Sequence, residues 1–300
     1  MGRNAMSKHT QVREHSNEIA YVAIDRDITL RSMVVRGTAP SATLLLLHGF
    51  PETIFAWKDI ALALADDHDV HSFDWPGFGL SSRPAVDRFS YSPKDYSRVL
   101  KGYLDKTGID RATLTIYATD ISALPVLLLA LDEPDIARSV IVGDFAPFNR
   151  PALMWENLQG LKSKPTSDHV RAAMNAGRDE ILANTFRRGL PKETHVEISQ
   201  EFRDDMARAW TYDGLTCVDA FYHYYSFFTR DQDYFEANLT KLKTSVKVVW
   251  GEDDLYITKD MGIELAARIH AELKLLPGIG HYPHLQAPAQ TIAEIRAAAR

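Results

Sequence analysis

The stretch Thr115-Ile116-Tyr117-Ala118-Thr119-Asp120-Ile121-Ser122-Ala123 limits the fold of this chain more than any other. An apolar, β-branched run from Ala112 to Ala118 leads into small residues around one acid, and an apolar helical pattern follows from Leu124 to Leu131. That order predicts a strand, a tight turn and a helix. The turn needs small flanking residues, because a bulky Cβ would collide with the neighbouring backbone. The layout is small-x-nucleophile-x-small, a nucleophile elbow with an aspartate where a serine more often sits. A serine there would suggest ester hydrolysis through an acyl-enzyme. An aspartate attacks a carbon bearing a leaving group and becomes the ester itself.

Strand-like and helix-like stretches alternate along the chain, which predicts an α/β fold with a mostly parallel sheet and crossover helices. Strands are expected at Ile19–Ala23, Ile28–Val35, Thr43–Leu47, Val70–Phe73, Ala112–Ala118, Val140–Gly143, Val246–Trp250 and Leu273–Leu276. Helices are expected at Trp57–Ala65, Pro93–Thr107, Leu124–Leu131, Lys259–Ile269 and Ala289–Ala298. The alternation stops between about Pro147 and Lys241, where the sequence is charged, aromatic and helix-like. Residues 19–146 and 242–300 are therefore expected to form the core, 147–241 a helical cap, and 1–18 a flexible leader. Ligands of open α/β sheets bind at the C-terminal strand edge, which such a cap would cover.

With 45% hydrophobic and 25% charged residues, the 300-residue chain has an ordinary globular composition. A net charge of −6 gives no electrostatic case for nucleic acid or an anionic membrane surface. No run reaches the roughly 20 apolar residues that span a bilayer, and the polar start lacks an apolar signal segment. The lone Cys217 reads as a core residue and fits a reducing compartment. A cytoplasmic location is the default expectation. No zinc-like ligand spacing, Gly-rich phosphate loop or dinucleotide fingerprint occurs, so no metal and no cofactor are expected.

His48-Gly49-Phe50-Pro51 follows one expected strand and Asp74-Trp75-Pro76-Gly77-Phe78-Gly79 the next. Trp250-Gly251-Glu252-Asp253-Asp254 and Gly278-Ile279-Gly280-His281 follow later ones. This order of strand-end nucleophile, acid and histidine resembles the α/β-hydrolase fold, from about Thr43 to the C-terminus. The aspartate makes the chain similar to the branch holding epoxide hydrolases, haloalkane dehalogenases and fluoroacetate dehalogenases. His48-Gly49-Phe50-Pro51-Glu52-Thr53 is similar to the HGFPE segment common among epoxide hydrolases.

The resemblance implies Asp120 as nucleophile and His281 as the base that activates water. Either Asp254 or Asp144 would orient the histidine, since related families use one position or the other; Asp254 is slightly favoured. The backbone N–H groups of Phe50 and Ile121 would form the oxyanion hole. Haloalkane dehalogenases usually place Trp after the nucleophile, and fluoroacetate types place Arg there and three residues on. Ile121 and Leu124 donate no such hydrogen bond. Epoxide hydrolases instead protonate the ring oxygen with cap tyrosines, and Ala220-Phe221-Tyr222-His223-Tyr224-Tyr225-Ser226-Phe227-Phe228 resembles their paired-tyrosine segment. Tyr225 is the first choice, Tyr224 the reserve, and His169 a candidate second donor. The expected activity is epoxide hydrolysis on a small apolar or aromatic substrate. One rival is a dehalogenase with halide ligands from Trp75, Trp155 or cap residues. Another is a ligand-binding protein, since Ala118 and Ser122 replace the usual elbow glycines. A homodimer stays open.

Overall fold

The computed structural model describes residues 15–300. Its strands are β1 (Asn17–Ala23), β2 (Thr29–Val35), β3 (Ala42–Leu47), β4 (His68–Phe73), β5 (Leu114–Thr119), β6 (Ser139–Gly143), β7 (Val246–Gly251) and β8 (Glu272–Leu276). They form an 8-stranded sheet in the order β1-β2-β4-β3-β5-β6-β7-β8. β1 and β2 run antiparallel to their neighbours, and β3 to β8 run parallel. All eight expected strands are present. β5 starts two residues late, because Thr113 and Leu114 are held in a turn by the Asp110 and Arg111 carbonyls. The expected leader is shortened: Asn17 and Glu18 pair with Val35 and Val34 in β1, while its residues 1–14 lie outside the described part.

Helices α1 (Lys58–Leu64), α2 (Pro93–Thr107) and α3 (Ala123–Asp132) cross between the early strands. Ser92 caps α2 by accepting from Asp95 N–H, Pro93 opens it, and Gly108 ends it at φ 65°. α3 is apolar all round because Ala123 to Leu131 are all buried beneath other elements; a fully buried leucine contributes about 1.5–3 kcal/mol. Between β6 and β7 come α4 (Glu156–Gly160), α5 (Thr166–Ala176), α6 (Arg178–Asn184), α7 (Gln200–Ala209) and α8 (Cys217–Ala237). The chain closes with α9 (Lys259–Ile269), α10 (Pro283–Gln286) and α11 (Pro288–Ala298). No helix among the described residues is long and apolar enough to cross a membrane.

Polar bonds seat the α4–α8 insertion on the sheet. Arg31 on β2 donates to Asp205 of α7 at 2.8 and 2.7 Å and to Asp74 after β4 at 2.5 Å, all three side chains being buried. Gln232 of α8 donates to the carbonyls of Ala146 and Phe148 at 2.8 and 2.9 Å. The chain crosses from β3 to β4 on one side and returns to β5 on the other. The C-terminal ends of β3 and β5 are thus a topological switch point, where such sheets bind ligands.

Candidate active site

Strand register assembles the site. Leu47 of β3 lies opposite Ala118 of β5, and Thr119 opposite Gly143 of β6. The residues that follow, His48 to Phe50, Asp120 and Asp144, therefore emerge side by side. Asp120 holds φ at 53°, the left-handed turn of the elbow. A Cβ on Gly49 would come within 2.6 Å of Asp120 Cβ, so only glycine fits that approach. Ser122, standing where glycine is usual, is accommodated by its hydroxyl: it donates to the His48 carbonyl and accepts from the Trp75 indole.

Asp120 Oδ1 accepts from Phe50 N–H at 2.9 Å, and Oδ2 faces His281 Nε2 at 3.0 Å. His281 Nδ1 donates to Asp254 Oδ2 at 2.8 Å, and Asp254 Oδ1 accepts from Tyr256 and Ile257 N–H at 2.8 and 3.1 Å. Burial opposes a charged imidazole here, but the Asp254 and Asp120 carboxylates outweigh it and hold the His281 pKa well above its ordinary value.

Asp144 takes a different part. Its Oδ1 accepts from Gly251 N–H at 2.9 Å, and its Oδ2 is buried without a partner. Burial, then the Asp254 charge, push its pKa well above the ordinary carboxylate value. Oxygen and nitrogen atoms of Asp144, Asp254 and His281 lie within 4.8 Å of one another. The His281 Nδ1–H bond to Asp254 gives them the pattern of a catalytic base and its orienting acid.

A cavity of about 260 Å³ opens above Asp120 and His281. Phe50, Tyr256 and Tyr282 line its sheet side; Trp155, Leu158, Val170, Met174, Ile181 and Phe221 line the insertion side, with Glu180 and Arg188. Tyr256 and Tyr282 were not anticipated, although each flanks a candidate residue in the chain. The Tyr256 ring stands edge-on to the His281 ring at 5.1 Å, and Tyr282 donates to the Phe50 carbonyl at 2.9 Å.

The other sequence candidates separate. Tyr224 donates to the Ile121 carbonyl at 3.1 Å, so its proton is engaged. Tyr225 packs edge-on against the cavity-lining Phe221, 4.8 Å between ring centroids, without being a lining residue itself, and its hydroxyl makes no hydrogen bond among the described residues. Burial, then the Asp120 charge, raise its pKa well above the ordinary phenol value, which keeps it protonated. Ile121 is buried beside Asp120, and its backbone carbonyl is the atom engaged. Trp155 faces the cavity under the Arg188 guanidinium. Two expectations are corrected. Trp75 is buried away from the cavity and gives its indole N–H to Ser122 at 2.9 Å, which removes it as a halide ligand. His169 is exposed on α5 and lies outside the cavity lining, because that helix turns Val170, Ala173 and Met174 inward.

Comparison with known proteins agrees with this geometry. The model of the alpha/beta hydrolase family matches residues 44–295. A segment of the chain is 34% identical over 123 residues to a fluoroacetate dehalogenase of Burkholderia sp, covering 40% of this chain and 39% of that protein. Another match is haloalkane dehalogenase 2 of Mycobacterium bovis, 33% identical over 111 residues, 37% of each chain. The match thus spans less than half the length of either curated relative. In fold the chain is similar to the Cif epoxide hydrolase from Acinetobacter nosocomialis, with a TM-score of 0.77 at 15% identity over 94% of this chain and 88% of that one. An elbow after β5, the strand-end loops around it and a family match over most of the length lead to one assignment: the chain belongs to the alpha/beta hydrolase family.

Proposed function

We propose that this hydrolase opens epoxides through an ester on Asp120. The carrying observation is the Asp120 carboxylate itself, Oδ1 held by Phe50 N–H and Oδ2 turned to His281, at the base of a largely apolar cavity. Asp120 Oδ2 attacks a ring carbon, the C–O bond breaks, and the departing oxygen takes a proton from the Tyr225 phenol, which packs against the lining Phe221 and reaches the cavity when that ring gives way. His281 then takes a proton from water, which attacks the ester carbon. The resulting oxyanion sits on Oδ1, where the Phe50 N–H already points. Collapse expels the alkoxide, which takes the His281 proton and leaves as the diol, and the proton left on the Asp120 carboxyl returns to the Tyr225 phenolate, restoring the carboxylate. Ester formation removes the Asp120 charge, one of the two that raise the His281 pKa, and so shifts the imidazole toward its base form. In this reading the insertion acts as a cap that keeps bulk water from the ester.

Epoxide chemistry is favoured over halide release because Ile121 and Leu124 give no side-chain donor at the elbow and the Trp75 N–H is engaged by Ser122. A dehalogenase is the second reading: the two relatives from Burkholderia sp and Mycobacterium bovis described above bear that name, and Trp155 lines the cavity. Incubating the wild type with aryl and alkyl epoxides, bromoalkanes and fluoroacetate separates the two. Diol without halide supports the proposal; halide release with epoxides untouched replaces it with the second reading.

A further inference from the structure

The segment that carries the oxyanion donor is tied to the segment that carries the base by a polar pair outside the reaction described above. Glu52 and His284 are both fully buried side chains, and His284 Nε2 donates to Glu52 Oε1 at 2.6 Å. The other carboxylate oxygen, Oε2, accepts from Gly49 N–H at 2.7 Å. Glu52 N–H returns to the Gly49 carbonyl at 3.1 Å, so this residue closes the Gly49–Glu52 turn through both backbone and side chain. His284 stacks on Trp57, 4.4 Å between centroids at 22°, and its Nδ1 is buried without a partner. One nitrogen alone is therefore engaged, and it points at Glu52. The peptide after Gly49 supplies the Phe50 N–H that holds Asp120 Oδ1, while His284 lies three residues beyond His281.

We infer that Glu52 and His284 are positioning residues for the second half of the reaction, holding the Phe50 N–H in line with the oxyanion that forms when water attacks the Asp120 ester. The inference rests on the Asp120-ester reading. The two half-reactions need the donor unequally. During attack on substrate, Oδ1 is a spectator whose charge falls. During ester hydrolysis it becomes the oxyanion, and the N–H must lie at hydrogen-bond distance of it. A loosened turn should therefore slow hydrolysis and spare ester formation.

Kinetics test this directly. Glu52→Leu removes both acceptors at similar volume; His284→Phe keeps the stack on Trp57 and removes the donor; Glu52→Gln retains an acceptor for Gly49. Each is followed by rapid quench and intact mass with styrene oxide, beside the wild type and His281→Gln. The first two variants should lose kcat about tenfold or more, with KM falling in step, kcat/KM nearly unchanged, and the ester becoming the main steady-state species. Glu52→Gln should recover most of kcat. Hydrogen exchange of the 48–53 segment in the free protein should quicken in Glu52→Leu. A fall of kcat/KM in proportion to kcat without ester build-up, or unchanged exchange in that segment, overturns the inference. If His281→Gln gains no adduct, the ester reading has failed instead, and the exchange measurement still decides whether the tether exists.

Discussion

Two walls meet at the cavity. On the sheet side, Phe50, Asp120, His281 and Asp254 hold one another at 2.8–3.0 Å, and Asp254 is fixed further by two backbone N–H groups. On the insertion side, Leu158, Val170, Met174, Ile181 and Phe221 face the same space through apolar contact. Directional bonds fix reacting atoms to within tenths of an ångström, whereas apolar packing fixes volume and tolerates exchange. Chemistry should therefore be brittle on the first wall and selectivity adjustable on the second.

The sharpest contrast lies within the sheet wall. Asp254→Asn leaves His281 without its orienting charge and should lower kcat by roughly 10³–10⁴-fold. Asp144→Asn keeps an acceptor for Gly251 N–H and removes no hydrogen bond to His281, so it should stay within about threefold of wild type. Comparable losses from both would break the distinction drawn between these acids. A pH signature accompanies it. His281 has a raised folded-state pKa, so the stability from its ion pairs is complete below about pH 6.5 and lost as pH rises through that folded value. In Asp254→Asn the loss should come at lower pH, read from urea midpoints across the pH range.

Next in size is the joint between the walls. Arg31→Met leaves Asp74 and Asp205 buried without their cation, and denaturant titration should show about 3–5 kcal/mol of destabilisation. A change below about 1 kcal/mol would mean that the insertion sits on the sheet without it. Tyr225→Phe should slow ester formation from epoxides by about 10²-fold and leave hydrolysis of a preformed ester alone. An equal effect on both steps would move the proton donor elsewhere. The mildest change is Met174→Ala, which enlarges the insertion wall and should shift the kcat/KM preference toward bulkier epoxides by roughly tenfold. A loss of turnover for every substrate would show that this wall is as brittle as the other.

The sheet was legible in the sequence because parallel strands buried on both faces read as apolar runs. Leu44 to Leu47 and Leu114 to Thr119 announce themselves in this way, and the residues after them fall at one edge by register alone. The sequence offered both Asp254 and Asp144, with only a slight preference for Asp254. What separates them is which carboxyl reaches Nδ1 and which meets Gly251 N–H, a matter of ångströms that spacing does not encode. The insertion was less legible. His169 and Val170 are neighbours in the chain, yet the packing of α5 exposes the first and turns the second to the cavity. Trp75 read as a halide donor until Ser122, 47 positions away, took its N–H. The partners Glu52 and His284 stand 232 positions apart, beyond any local pattern.

The central claim is that Asp120 carries the substrate as an ester. His281→Gln, incubated with pooled epoxides, haloalkanes and haloacids and weighed intact, tests it most directly. The account predicts an adduct equal to one whole epoxide, located on Asp120 by peptide mapping. An adduct on any other residue, or none from any pool while the folded variant still binds these compounds, would contradict it.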